Sequence, residues 1–140
     1  MLEEEGHEFS DPPTVDDFEQ QLRCSLATIA TARADALIDR CPLDFIAYMR
    51  ALDDGYDIAD WLPELRQAMA TLDLIVVVPI ETPDRIAVAT HENRRLRRSV
   101  DSLLRDLVLD DPYDLVPATV EVCGDIDERL DQVVRSIRER

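Results

Sequence analysis

The chain has 140 residues, of which 31 are acidic and 15 basic, giving a formal charge of −16, and 46% of it is hydrophobic. That is the size of one ordinary domain with enough apolar material for a core, so disorder throughout is excluded. The charge excludes unaided binding to nucleic acid and docking on anionic lipid, both of which need clustered positive charge.

Every basic residue is Arg, and there is no Lys. Schiff-base chemistry and any phosphate site that needs an ammonium group are therefore excluded for this chain. The glycines, Gly6, Gly55 and Gly124, are too far apart to form a Gly-rich phosphate loop. The longest apolar run, Leu74 to Ile80, is strand-length and contains Pro79, well short of a membrane span. The N-terminus lacks the basic flank and apolar region of a signal peptide. Cys24, Cys41 and Cys123 fit neither a disulfide framework nor a zinc pattern, and read as small buried or half-buried fillers in a reducing cytoplasm.

Residues 1–13 form an acidic arm, closed by Pro12-Pro13, and residues 14–140 form a single α/β domain. Thr14 is an N-cap with Asp17 in the capping-box position, and Val15, Phe18, Leu22, Leu26 and Ile29 predict a helix from Val15 to about Ala32. Ala34 to Ile38 reads as a buried strand with Asp39 at its carboxyl edge. Pro42 opens a helix that runs to about Leu52. After the turn at Asp53-Asp54-Gly55-Tyr56, Asp57 caps a helix bearing Ile58, Trp61, Leu62, Leu65 and Met69.

Leu74 to Val78 is the clearest strand, β-branched and continuous, which predicts cover on both faces, as in a parallel sheet. Glu81 to Ala89 reads as irregular. Thr90 caps a long helix with Leu96, Val100, Leu103 and Leu107 on one stripe, ended by Asp110-Asp111-Pro112. Thr119 to Cys123 is the last strand, and Gly124 the turn out of it. Asp125 with Glu128 caps a final helix driven by Ile126, Leu130, Val133, Val134 and Ile137. The expected fold is α/β in three layers, with a parallel sheet of about three strands covered by helices.

Two groups of residues could carry chemistry. Asp39-Arg40 would sit beyond the carboxyl end of a strand, where ligands of open parallel sheets bind. There Asp39 could hold Mg²⁺ through water or accept a proton, and Arg40 could pair with phosphate. Alternatively, Asp39 caps the next helix and Arg40 pairs with a neighbour. Arg94, Arg97 and Arg98 share a helix face, from which Arg95 points away, and could clamp a phosphate. Alternatively they are a solvated face pairing with acids such as Glu92 and Asp101. His7 and His91 stand alone, with no Cys or second His near in sequence, and read as solvent-facing polar residues rather than metal ligands, and Ser25 lacks a nucleophile-elbow context. Trp61 and Met69 read as core.

The segment Asp39-Arg40-Cys41-Pro42-Leu43-Asp44-Phe45-Ile46-Ala47-Tyr48 resembles the Asp-Arg segment of P-loop kinases of the nucleoside/nucleotide-kinase type and of single-domain AAA-family ATPase kinases. The order of the later elements is similar to that family as well. The resemblance implies ATP-dependent phosphoryl transfer to a small molecule or nucleotide, with Mg-ATP as the parent family's cofactor. It implies that Asp39 is the metal- or substrate-side carboxylate, Arg40 a phosphate contact, and Arg94, Arg97 and Arg98 the lid charges. The family's G-x-x-x-x-G-K-[S/T] loop has no counterpart here and would lie upstream of residue 1. The chain is thus expected to be catalytically incomplete, to bind no nucleotide tightly, and to associate with itself or with a complementing chain. The competing expectation is a non-catalytic acidic protein-interaction module.

Overall fold

A computed structural model of the chain describes residues 13–79 and 91–139, with the side chains of residues 91–94 left aside. The acidic arm up to Pro12, the irregular segment 81–89, Thr90 and His7 lie outside the described residues. Helix α1 spans Val15–Ala30 and α2 spans Pro42–Leu52. A turn of 3-10 helix, Ala59–Trp61, leads into α3, Leu62–Met69. Strand β1 is Leu74–Val77 and α4 is His91–Arg105, the latter ending in a π-helical turn, Asp106–Asp110. Strand β2 is Ala118–Glu121 and α5 is Ile126–Arg138. The fold is mixed α/β: five helices and a small parallel sheet of two strands among the described residues.

The local signals explain the helix starts. Thr14 Oγ1 accepts from the Asp17 amide, and Asp17 reaches back to the Thr14 amide at 2.9 Å, closing a capping box at α1. Asp125 and Glu128 do the same for α5. Pro42 sits at the first position of α2, where its missing N–H is no loss. Asp57 accepts from the Ala59 amide at 2.9 Å and so opens the 3-10 turn.

The core lies between helices. Phe18, Leu22, Leu26 and Ile29 form the buried stripe of α1 and pack on α2, where Phe18 stacks on Tyr48 with ring centroids 4.5 Å apart. Helix α2 is buried along most of its length and packs on α4 from its other side. Tyr56 donates to Glu19 at 2.7 Å and accepts from Trp61 Nε1 at 2.8 Å, with the Arg23 guanidinium over the Trp61 ring. This polar clasp ties α1 to the segment before α3. Met69 is buried, as its spacing predicts, whereas Trp61 is half-buried. Arg50 donates to the Tyr113 hydroxyl and so ties the end of α2 to the chain beyond the π-turn.

Three expectations need correction. Residues 34–38 do not form a strand: the Ala36 amide bonds back to Arg33, the segment is a turn and loop, and Leu37 is 97% exposed. A short run containing Ala34, Asp35 and Ala36 offers little apolar area to hold a strand in a sheet, and only Ile38 reaches the core. The described sheet therefore has two strands, β1 and β2, in parallel register from Leu74 opposite Ala118 to Val77 opposite Glu121. Second, β1 is covered on one face only. Ile75 and Val77 are buried in the core, while Val76 is exposed and Val78 just beyond it is 55% exposed. Third, Cys24 and Cys123 are exposed rather than buried, Cys41 is half-buried, and all are free thiols.

Candidate functional site

Without a strand at 34–38, Asp39 does not end one. It is exposed at a bend, and Arg40, also exposed, takes a left-handed backbone with φ of 67°. The Arg40 guanidinium lies 5.8 Å from the centre of the Tyr48 ring. The pair sits at the mouth of α2, and α2 packs on the helix that carries Arg94, Arg97 and Arg98. Arg97 is half-buried and has a partner of its own, Arg98 and Arg95 are exposed, and the Arg94 side chain lies outside what is described.

What the mouth of α2 builds is a helix cap. The Asp44 carboxylate accepts from the Cys41 amide at 2.7 Å. Burial pushes the Asp44 carboxyl above its usual range, and the charge of Asp39 adds to this against the opposing cap bond and Arg40. Burial, and then the Asp44 charge, push the Cys41 thiol up from 9.0 to about 12. A thiol so placed stays protonated and is a poor nucleophile or metal ligand. Cys41 itself gives no hint of this role, because Cys is an unusual N-cap. The cue available was Pro42 followed by Asp44 at the third helical position.

A reactivity test follows. In the folded protein at pH 8, iodoacetamide should modify Cys24 and Cys123 and spare Cys41. In denaturant all three should react, as intact-mass spectrometry would show. Native modification of Cys41 at the rate of the other two would contradict its burial. The linkage has a definite sign. The unfolded thiol loses its proton near 9.0 and the native one near 12, so Cys41 makes stability fall as pH rises through that window.

The sheet's two ends differ. At the amino end of both strands lies an open cleft of about 380 Å³, lined by Arg66, Met69, Leu72, Asp114 and Leu115 among others. In parallel sheets, ligands bind at the opposite, carboxyl end. There, the residues at the end of β2 are held by the chain's own bonds. The Gln132 side chain donates to the Cys123 carbonyl at 2.8 Å and accepts from its amide at 3.1 Å. Arg129 Nε donates to the Gly124 carbonyl at 2.8 Å, and Arg105 pairs with Glu121 at 3.4 Å. Gly124 itself takes φ of 98°, and a side chain there would strike Glu128. Sequence reasoning missed Arg129 and Gln132. Their spacing from Asp125, at i+4 and i+7, puts them on one helix face, which was the signal present.

Among the described residues, no group of three or more His, Cys, Asp or Glu side chains is placed to hold a metal ion. No described helix is long and apolar enough to cross a membrane. Comparison with known protein families, characterised proteins and solved structures finds no match for the chain.

Proposed function

We propose that the chain acts as a non-catalytic acidic protein-interaction module that captures a basic polypeptide. The observation that carries this reading is the acidic stretch from the end of α2 into the first turn of α3. Asp53, Asp54, Asp57, Asp60 and Glu64 are all exposed there, with no basic residue among them. On a chain of charge −16 such an edge steers a positively charged partner into contact. Two features of the structure agree with this reading. Asp44 and Cys41, next to the candidate catalytic pair Asp39 and Arg40, are occupied in a helix cap, and the open cleft lies at the amino end of the strands.

The test is fluorescence anisotropy with a labelled arginine-rich peptide. Asp54→Asn, Asp60→Asn and Glu64→Gln together spare Asp53 and Asp57, which bond to the Gly55 and Ala59 amides. The triple variant should weaken binding by about tenfold, roughly 1.4 kcal/mol. Raising salt from low to moderate should weaken the wild type similarly, because exposed charges are screened. Asp39→Ala should leave binding unchanged. Equal binding by the triple variant would end this reading.

A second reading is favoured by one specific observation, the parallel pairing of β1 with β2 across the α4 connection. On this reading the chain is part of a three-layer P-loop-kinase-like domain without its phosphate loop. Asp39 is then the metal-side carboxylate, Arg40 a phosphate contact, and Arg94, Arg97 and Arg98 the lid charges. Positioning and charge neutralisation do most of the work in phosphoryl transfer, so such a chain is inactive alone. Its affinity for Mg-ATP is at best of the order of millimolar, about −4 kcal/mol. Calorimetry that found micromolar affinity would favour a working nucleotide site over both readings. An in-frame G-x-x-x-x-G-K-[S/T] upstream in the coding DNA would favour the second reading over the first.

A further inference from the structure

Helix α5 divides into three lengthwise stripes, each with the i, i+4, i+7, i+11 spacing of one helix face. Asp125, Arg129, Gln132 and Ser136 form the first, and through Arg129 and Gln132 it fastens the helix to the end of β2. Ile126, Leu130, Val133 and Ile137 form the second. That stripe is apolar, yet Ile126 is 81%, Leu130 58% and Ile137 53% exposed. The helix thus docks by its edge and leaves its apolar face uncovered. Asp127, Asp131, Val134 and Arg138 form the third, which runs from acidic at the amino end to basic at the carboxyl end. The three charged residues of this flank, Asp127, Asp131 and Arg138, are exposed.

We propose that this face pairs with α5 of a second copy of the chain, antiparallel about a two-fold axis. The charge order selects both the partner and the direction. In an antiparallel pair, a flank meets the same flank of its mate running the other way. Asp127 then lies toward Arg138 of the partner subunit, twice over by symmetry. Ile126 rests on the partner's Ile137 and Leu130 on the partner's Val133. In a parallel pair this flank would instead meet the mate's first stripe, the edge by which that helix is fastened to the end of β2. A patch whose charge reverses about its own midpoint complements itself, which is what a two-fold interface requires. This local complementarity also offsets the repulsion between two chains of charge −16.

The helix is 13 residues long, about 20 Å, so the contact is smaller than a standard stable interface. The dimer is accordingly weak, with a Kd of the order of tens of micromolar.

Sedimentation equilibrium of the full chain tests this. Between about 5 and 500 µM, a range bracketing that Kd, the dimer fraction should rise from minor to dominant. A monomer throughout overturns the proposal. Leu130→Glu should abolish the dimer, and because Leu130 is exposed, the far-UV circular dichroism should not change. Leu130→Ser is the second variant should Glu disturb the helix. Dimerisation undiminished by either variant overturns α5 as its seat. Direction is tested by two charge-reversed chains, Asp127→Arg and Arg138→Glu. Each alone should associate at least tenfold more weakly than the wild type, and an equimolar mixture should recover it. Both chains keep a large negative net charge, so overall attraction cannot drive the recovery. A mixture no better than its components overturns the antiparallel arrangement.

Discussion

Leu22→Ala is expected to destabilise the protein by about 2–5 kcal/mol, the range for emptying a fully packed leucine site. Leu22 has no exposed area and lies in the middle of the α1 stripe between Phe18 and Leu26. The cost combines lost transfer energy with the cavity left between α1 and α2, whose backbones are held by packing on both sides. A domain of this size has only about 5–15 kcal/mol in total, so the variant could lose most of its stability. Denaturant unfolding followed by circular dichroism would measure it. Leu130→Ala on exposed α5 is the control, expected within about 0.5 kcal/mol under dilute conditions. A Leu22→Ala loss below about 1 kcal/mol would mean that the α1 stripe is not the core it forms here.

The second large effect is expected at Asp111. Its backbone is left-handed, with φ of 45°, and its carboxylate accepts from the Leu115 amide at 2.7 Å and the Val116 amide at 3.3 Å. Leu115 is buried, so these amides have little water to turn to. Asp111→Ala removes both acceptors and puts a residue poorly suited to this backbone in place. A loss of about 2–3 kcal/mol follows from an unsatisfied amide plus the left-handed conformation. Asp111→Asn keeps an oxygen acceptor and tolerates the same backbone, and should lose about 1 kcal/mol or less. Asp111→Gly removes the backbone strain but not the unsatisfied amides, and should fall between. Equal losses for Asn and Ala would show that the side-chain oxygens are not what holds the turn.

Much of the helical frame was legible in the sequence because capping chemistry is local. Thr14 with Asp17, Pro42 with Asp44, and Asp125 with Glu128 each mark a helix start within four residues. The β-branched run at Leu74 marked its strand for the same reason. What was not legible depends on partners distant in the chain. Whether Ala34–Ile38 becomes a strand depends on a neighbouring strand to bond with, and its own residues cannot supply one. Whether an apolar face is covered depends on what packs there: α5 docks through Arg129 and Gln132 rather than through its apolar stripe, and that stripe stays exposed. The placement of Asp39 depended on the same kind of partner: a position at the carboxyl edge of a sheet needs a strand before it, and residues 34–38 form a turn and loop. Cys41, read as a filler, instead heads α2 with Asp44 as its cap partner.

The separation between β1 and β2 along the chain has a consequence for how the molecule assembles. Their pairing waits on the whole of the intervening α4 connection. Helices α1 and α2, close in sequence and already packed together, can form without it. Closing that long loop costs entropy that only the finished ladder offsets. The ribbon pair is thus the natural last step of folding and the first to open. Under native conditions the β2 amides should exchange with deuterium ahead of those in α2, through openings smaller than global unfolding.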